Sequence, residues 1–302
     1  MKIIEKSGLK KVLYISASFT LTASAIPSAA HPGKHTAEPS PPAGYHLVWS
    51  DEFETDGLPD PAKWAYDTFR NKEGWWNEEE QYYSDSRAEN ARIEKGHLII
   101  EARKDGEDLR GYPGYGKQLS GYPDYGGQDY SSARLFTKGK ASWTYGYFEI
   151  RAKMPCGRGL WPAIWTLPEE PGKWPDSGEI DIMEYVGHLP ETFHATIHTG
   201  EKNHVMKTEV GEKIKVKTAC KAFHTHSLLW TPDAIEVSLN GAPYFRYENE
   251  GKGEGSWPFN RAHHLIMNIA VGGTWGGREG IDEEALPAKM EVDYVRVYQA
   301  GE

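Results

Sequence analysis

Three acidic side chains lie close together in an otherwise apolar run. The segment Trp174–Gly187 reads WPDSGEIDIMEYVG and carries Glu179, Asp181 and Glu184. In a regular strand, residues two apart share a face, so Glu179 and Asp181 point the same way. Glu184 falls at an odd offset from both-facing Glu179 and would point to the opposite side. One extra residue, a β-bulge at Ile182–Met183, brings it back. Ile180, Ile182 and Tyr185 then pack on the other side or around the bulge. As structure alone such a row is costly, because like charges repel and buried carboxylates need partners. It suits a reaction that uses one ionised carboxylate and one protonated carboxyl. Glycoside hydrolysis is such a reaction: one group attacks the anomeric carbon while the other protonates the leaving oxygen. Retaining enzymes hold the two about 5–5.5 Å apart, and the ends of a short bulged strand can approach that spacing, so retention is expected. Two other uses stay open at this level. The acids could hold Ca²⁺ or Mg²⁺, although such loops usually add Asn, Gly and backbone oxygens in a turn. They could also line a solvated strand.

The elements that must position these acids read as strands. His97–Ala102, Tyr147–Lys153, Ile235–Leu239 and Met290–Tyr298 alternate apolar and polar residues with period two, the pattern of a half-buried strand. Asn240-Gly241 follows one of them and is a hairpin-type turn. Amphipathic helical stretches are scarce. Many strands without βαβ alternation predict an antiparallel sandwich or jelly roll. Composition agrees: 11 Trp and 17 Tyr outnumber 9 Phe, and aromatics with a polar tip suit half-wet surfaces on which a sugar can stack. The 302 residues carry a net charge of -10. A basic nucleic-acid footprint is therefore not expected, and no uncharged apolar run is long enough to embed the body in a bilayer.

The chain begins with Lys2, Lys6, Lys10 and Lys11, continues with an apolar stretch from Val12 to Ile26, and then offers the small residues Ser28, Ala29 and Ala30. This is the layout of a secretory signal peptide, residues 1–30. Residues 31–44 are Pro-rich and polar and read as a flexible leader. A single catalytic domain is expected from 45 to 302. Export permits a disulfide between Cys156 and Cys220, but spacing leaves two separate thiols equally open. GYPGYG and GYPDYG recur within Gly111–Gly127. That loop could present tyrosines at a cleft rim or be a plain surface loop.

The segment GEIDIMEY resembles the active-site strand of glycoside hydrolase family 16, in the bulged form typical of laminarinases. Further stretches match in order: LVWSDEF (47–53), GLPDPAKW (57–64), RAENARIEKGHLIIEARK (87–104), YGYFEIRAKMPCGRGLWPAIWTLP (145–168), ATIHTG (195–200), and IMNIAVGGTWGG through VDYVRVYQ (266–299). The resemblance covers nearly the whole chain after the leader. It implies an all-β jelly roll of two curved antiparallel sheets, with an open cleft on the concave face for endo-attack on β-glucan. It also implies roles: Glu179 as nucleophile, Glu184 as general acid/base, and Asp181 between them, tuning ionisation.

The resemblance extends to the cleft walls. Trp161, Trp165, Trp174 and Trp275 match regions that line sugar subsites, although Trp165 reads equally well as core. Asn77 and Arg87 match polar positions that contact glucan, and His198 matches a histidine near the acid/base. Trp64, Trp143 and Trp230 are expected to be sandwich packing. No cofactor is implied for catalysis, but a structural Ca²⁺ is, at Glu52, Gly96 and Asp293 through backbone oxygens and an aspartate. HxxxH at His194 and His198 lacks a third ligand, which argues against zinc chemistry. The run WNEEEQ after Gly74-Trp75 departs from the family's asparagine-rich pattern beside the cleft. The expected activity is a secreted, monomeric, retaining endo-β-1,3-glucanase, extending to mixed β-1,3/1,4-glucan. A glucan-binding lectin, a transglycosylase and a galactanase on the same fold are the alternatives.

Overall fold

The computed structural model describes residues 41–71, 73–109 and 128–301. The expected signal peptide, most of the leader, and the Gly111–Gly127 loop lie outside the described residues. The rest belongs to the compact unit Glu38–Glu302.

Its strands are β1 (Tyr45–Asp51), β2 (Ala65–Tyr66), β3 (Gln81–Tyr83), β4 (Ala91–Glu94), β5 (His97–Lys104), β6 (Tyr130–Ser132), β7 (Arg134–Phe136), β8 (Gly146–Lys153) and β9 (Leu160–Pro168). They continue with β10 (Glu179–Glu184), β11 (Thr192–His198), β12 (Val210–Lys215), β13 (His224–Trp230), β14 (Ala234–Leu239), β15 (Ala242–Glu248), β16 (His263–Val271) and β17 (Ala288–Ala300). The four segments read as strands from their alternation fall on β5, β8, β14 and β17. Asn240 and Gly241 join β14 to β15 with φ of 50° and 80°. Two successive left-handed residues make the turn whose twist suits a hairpin.

The strands form two sheets. Seven run in the order β12-β11-β10-β9-β16-β7-β2, all antiparallel. The other sheet has ten strands along β15-β14-β13-β8-β17-β5-β6-β3, with β1 added beside β17 and β4 beside β5. Its β3–β6 pair is parallel. This is the expected all-β sandwich.

Between the sheets lies one apolar core. Phe148 and Ile150 of β8 and Val295 and Val297 of β17 meet Ile164 of β9, Ile180 of β10 and Met267 of β16, all fully buried. Trp64, Trp143 and Trp230 are 2%, 6% and 0% exposed, so they pack as expected. Each buried aliphatic side chain contributes ~1.5–3 kcal/mol through water release. Along β9 the even-numbered residues Leu160 to Pro168 are buried, while Trp161 and Trp165 remain half-exposed. Period-two alternation thus puts one set in the core and the other on the outer face of the seven-stranded sheet. That outer face is the cleft.

Candidate active site

β10 lies between β9 and β11, near the middle of the seven-stranded sheet. The residue before it, Gly178, has φ of 90°, and a Cβ there would fall 2.9 Å from Pro258. Only glycine enters the strand by this route. The register then breaks where the sequence required it. Against β9, Asp181 faces Trp165 and Met183 faces Ile164; against β11, Asp181 faces Thr196 and Glu184 faces His194. One residue has been inserted at Ile182–Met183. Ile180, Ile182 and Met183 are fully buried, while Glu179 and Glu184 remain half-buried.

Each outer acid accepts a hydrogen bond from an indole. Trp174 Nε1 donates to Glu179 at 2.8 Å, and Trp161 Nε1 donates to Glu184 at 3.1 Å. His198 pairs with Glu179 across the strands, and its Nε2 is 3.3 Å from Asp181 and 3.9 Å from Glu179. It therefore lies at the Glu179–Asp181 end of the row, and its charge also reaches Glu184. Glu179, Asp181 and His198 can bring one ligand atom each within 4.8 Å.

Burial dominates the electrostatics. It pushes the Glu179 carboxyl up to about 8, helped by Asp181 and opposed by His198 and the Trp174 N–H. It pushes Glu184 up to about 7, opposed by His198 and the Trp161 N–H and helped by Glu179 and Glu79. Asp181 is held well above the ordinary carboxylate range by burial and by the charge of Glu184. Clustered carboxyls of this kind titrate as a set, since ionisation of one raises the others.

Rings line the flanks. Trp275 meets Trp161 edge-on at 5.2 Å and His194 at 5.1 Å. Trp174 is flanked by His204 at 5.0 Å and His198 at 5.8 Å. Trp165 shares the cleft face with Trp161; its N–H bonds Asn268 at 2.8 Å, and Arg134 lies 4.6 Å over its ring. It is a wall residue, not core. Asn77 is half-buried with φ of 61° and reaches Glu79 at 3.4 Å.

Arg87 departs from expectation. It is 8% exposed, and its guanidinium bonds Asp105 at 2.7 Å, Asn90 at 2.8 Å and Ser131 at 3.0 Å. A guanidinium carries five fixed donors, and here buried acceptors in the ten-stranded sheet take them. Arg87 holds the strand framework and offers little to a sugar.

Several neighbours were not singled out from sequence. Glu79 faces the same electrostatic neighbourhood as Glu184 and is raised by its own burial. Asn268 links Trp165 to the Tyr83 hydroxyl, which donor and acceptor at 3.0 Å connect. Alternation on β16 places Asn268 opposite the core, a signal available in the sequence. His204 lies in a loop that no periodicity reveals. Cys156 and Cys220 are joined in a disulfide with Cα atoms 5.2 Å apart.

The implied calcium residues lie apart from the cleft. Glu52 follows β1 and pairs with Arg296 through both carboxyl oxygens, at 3.0 and 2.9 Å. Gly96 forms the β4–β5 turn with φ of 77°. Asp293, 1% exposed, accepts from Arg151 at 2.6 Å, while its other oxygen lies 3.8 Å from His97.

A β-sandwich with two glutamates raised by burial, paired with indoles on one open face, defines a polysaccharide-directed glycoside hydrolase. The model of the family "Glycosyl hydrolases family 16" matches residues 78–296, and the chain belongs to that family. It is 50% identical over 264 residues to a β-glucanase of Rhodothermus marinus, covering 84% of this chain and 85% of that protein. The crystal structure of the laminarinase from Rhodothermus marinus superposes with a TM-score of 0.76 at 50% identity, covering 85% of this chain and 98% of the other. A mutant of SCLam, a non-specific endo-β-1,3(4)-glucanase of family 16, superposes with a TM-score of 0.78 at 50% identity. That pair covers 87% of this chain and 97% of the other, which holds a 1,3-β-D-cellobiosyl-glucose at its active site.

Proposed function

We propose that this chain is a retaining endo-β-1,3-glucanase that also cuts mixed β-1,3/1,4-glucan. The observation that carries the reading is the bulge in β10, which turns Glu179 and Glu184 to the same face, each against an indole N–H. Glu179 attacks the anomeric carbon as its carboxylate while Glu184 gives its proton to the leaving glycosidic oxygen. Water then enters: Glu184 takes its proton, the oxygen attacks the anomeric carbon, and Glu179 leaves. The reaction uses the state with the anion on Glu179. In the ligand-free cleft Glu179 is the higher of the two, about 8 against about 7. His198 and the Trp174 N–H favour its anion, and that anion in turn keeps the proton on Glu184. Asp181, buried between them, works the other way: its charge and its hydrogen bond both hold the proton on Glu179. The relatives' glucan substrates support the choice of polymer.

The test is hydrolysis of laminarin, lichenan, curdlan and agarose by the protein and by Glu179→Gln and Glu184→Gln. Glucan cleavage with retained anomeric configuration is expected, with loss by orders of magnitude in each variant. Cleavage of agarose alone would move the substrate to a galactan, and near-normal activity of either variant would remove the mechanism.

Three further elements belong to this reading. The enzyme works as a monomer outside the cytosol, where its polymeric substrate is; the Cys156–Cys220 disulfide suits an oxidising compartment, and N-terminal sequencing of exported protein tests it. A calcium ion steadies the ten-stranded sheet. Its donors would be hard oxygens, the buried Asp293 carboxylate with the backbone oxygens of Glu52 and Gly96, a set that fits calcium chemistry. Chelation is expected to lower the melting temperature, and an unchanged melting curve would exclude the ion.

A further inference from the structure

The loop after β2 carries aromatic surface that the catalytic reading leaves unused. Phe69 is 74% exposed and Trp76 is 54% exposed. An exposed indole offers an apolar face on which a ligand can stack. Trp76 is also fixed in place. The Arg70 guanidinium lies 4.9 Å from the centre of its ring. Arg70 is itself pinned, donating to the Gly74 carbonyl at 3.0 Å and to Glu73 at 2.8 Å. The Trp76 ring also meets Trp75 edge-on at 6.3 Å. Below them, the Asn71 side chain bonds the Tyr83 backbone through both its oxygen and its nitrogen and accepts the Trp75 N–H. The indole is held outward by a built loop.

That loop adjoins the cleft. Thr274 N donates to the Asn77 carbonyl at 2.7 Å, and Glu79 bridges Gly272. The next residue, Trp275, meets Trp161, whose N–H is on Glu184. On the other side Arg134 is shared between Trp75, at 5.3 Å, and Trp165, at 4.6 Å. Trp76 is the next ring outward in a series that begins at the catalytic strand. It also stands in the run WNEEEQ, where this chain leaves the family pattern.

We propose that Trp76 is an outer platform for the glucan chain, binding a sugar beyond those beside the cleaved bond. This rests on the glucan reading above. A pyranose ring would lay its C–H face on the side of the indole that Arg70 leaves open. Because the ring is held by its neighbours before binding, little rotamer entropy is lost on contact. The platform acts only on chains long enough to reach it.

The experiment is calorimetric binding in a Glu179→Gln background, so that turnover plays no part. Laminarin polymer and a laminari-oligosaccharide series are titrated into that protein with Trp76 intact, with Trp76→Ala and with Trp76→Phe. Expected is a ~5–10-fold weaker affinity of Trp76→Ala for long chains, unchanged affinity for the shortest binders, and partial recovery in Trp76→Phe. Equal loss on short and long chains, or no loss on either, overturns the platform. Melting curves of the variants check that the loop still folds. Hydrolysis by the wild-type chain is scored separately, so a failure of the catalytic reading would show there and leave the binding result standing.

Discussion

Replacing Glu179 by glutamine should make the protein more stable while removing its activity, and the gain should grow with pH. The cause is the same burial that serves the chemistry. The Glu179 side chain is only 16% exposed, and its carboxyl is raised from 4.5 to about 8. The folded state therefore binds this proton more tightly than the unfolded chain does. A raised carboxyl stabilises the fold fully below its unfolded value, and that contribution is lost as pH climbs through the window from 4.5 to about 8. Each pH unit in the window is worth ~1.4 kcal/mol. The accumulated cost is ~3 kcal/mol at pH 7 and ~5 kcal/mol above pH 8. Glutamine never ionises, keeps an oxygen for the Trp174 N–H and offers an N–H₂ to Asp181. For a domain of this size, ~3 kcal/mol corresponds to roughly 6–12 °C in melting temperature. The assay is thermal and urea unfolding of both proteins at pH 4, 5, 6, 7 and 8. The difference should be small at pH 4 and rise steadily. A difference independent of pH, or one favouring the wild type at pH 8, would refute the account of Glu179 as a carboxyl strained by burial.

Other outcomes follow from single contacts. Trp161→Phe removes the N–H that lowers Glu184, so the alkaline limb of the pH–rate profile should move up by on the order of one pH unit; a downward move would contradict the acid role. Replacing Cys156 and Cys220 by alanine frees a loop of 64 residues and should cost about 4 kcal/mol in urea unfolding, whereas unchanged stability would mean the bond is dispensable. Ile180→Ala empties a fully buried site behind the catalytic strand and should cost ~2–5 kcal/mol, read by the shift in denaturation midpoint.

The catalytic strand was legible because two rules conflicted in one short segment. Period-two alternation put Glu179 and Asp181 on one face, chemistry asked for Glu184 beside them, and only an inserted residue reconciles the two. The structure places the irregularity at that point. The long strands were legible from alternation, and the indoles Trp64, Trp143 and Trp230, expected as sandwich packing, are buried. Arg87 was not legible, since sequence alone does not reveal that Asp105, just past β5, and Ser131 of β6 would claim its donors. The pairing of Cys156 with Cys220 depended on the same kind of long-range meeting. His204 is carried by a loop stapled through Asn203, whose side chain bonds the carbonyls of Thr199 and Gly200, and loop geometry leaves no period to read. Trp165 shows the middle case: sequence left it between cleft and core, and its partners Asn268 and Arg134 had to be seen before it fell on the cleft face.

The inserted residue in β10 also makes the catalytic strand a matter of phase. Removing one residue at Ile182–Met183 would take out the bulge, bring Glu184 to an even offset from Glu179 and leave it on the cleft face of a regular strand. The result would be a straight catalytic strand that still presents its acid/base, reached by a single-codon deletion. Removing two residues would set Glu184 directly beside Asp181, on the opposite face, and give a folded sandwich without an acid/base. Length changes in this strand should therefore be tolerated or lost according to whether the offset that remains, with or without a bulge, returns Glu184 to the cleft. A scan for related hydrolases, or an effort to build one, has to count residues between the acids before it compares their identities.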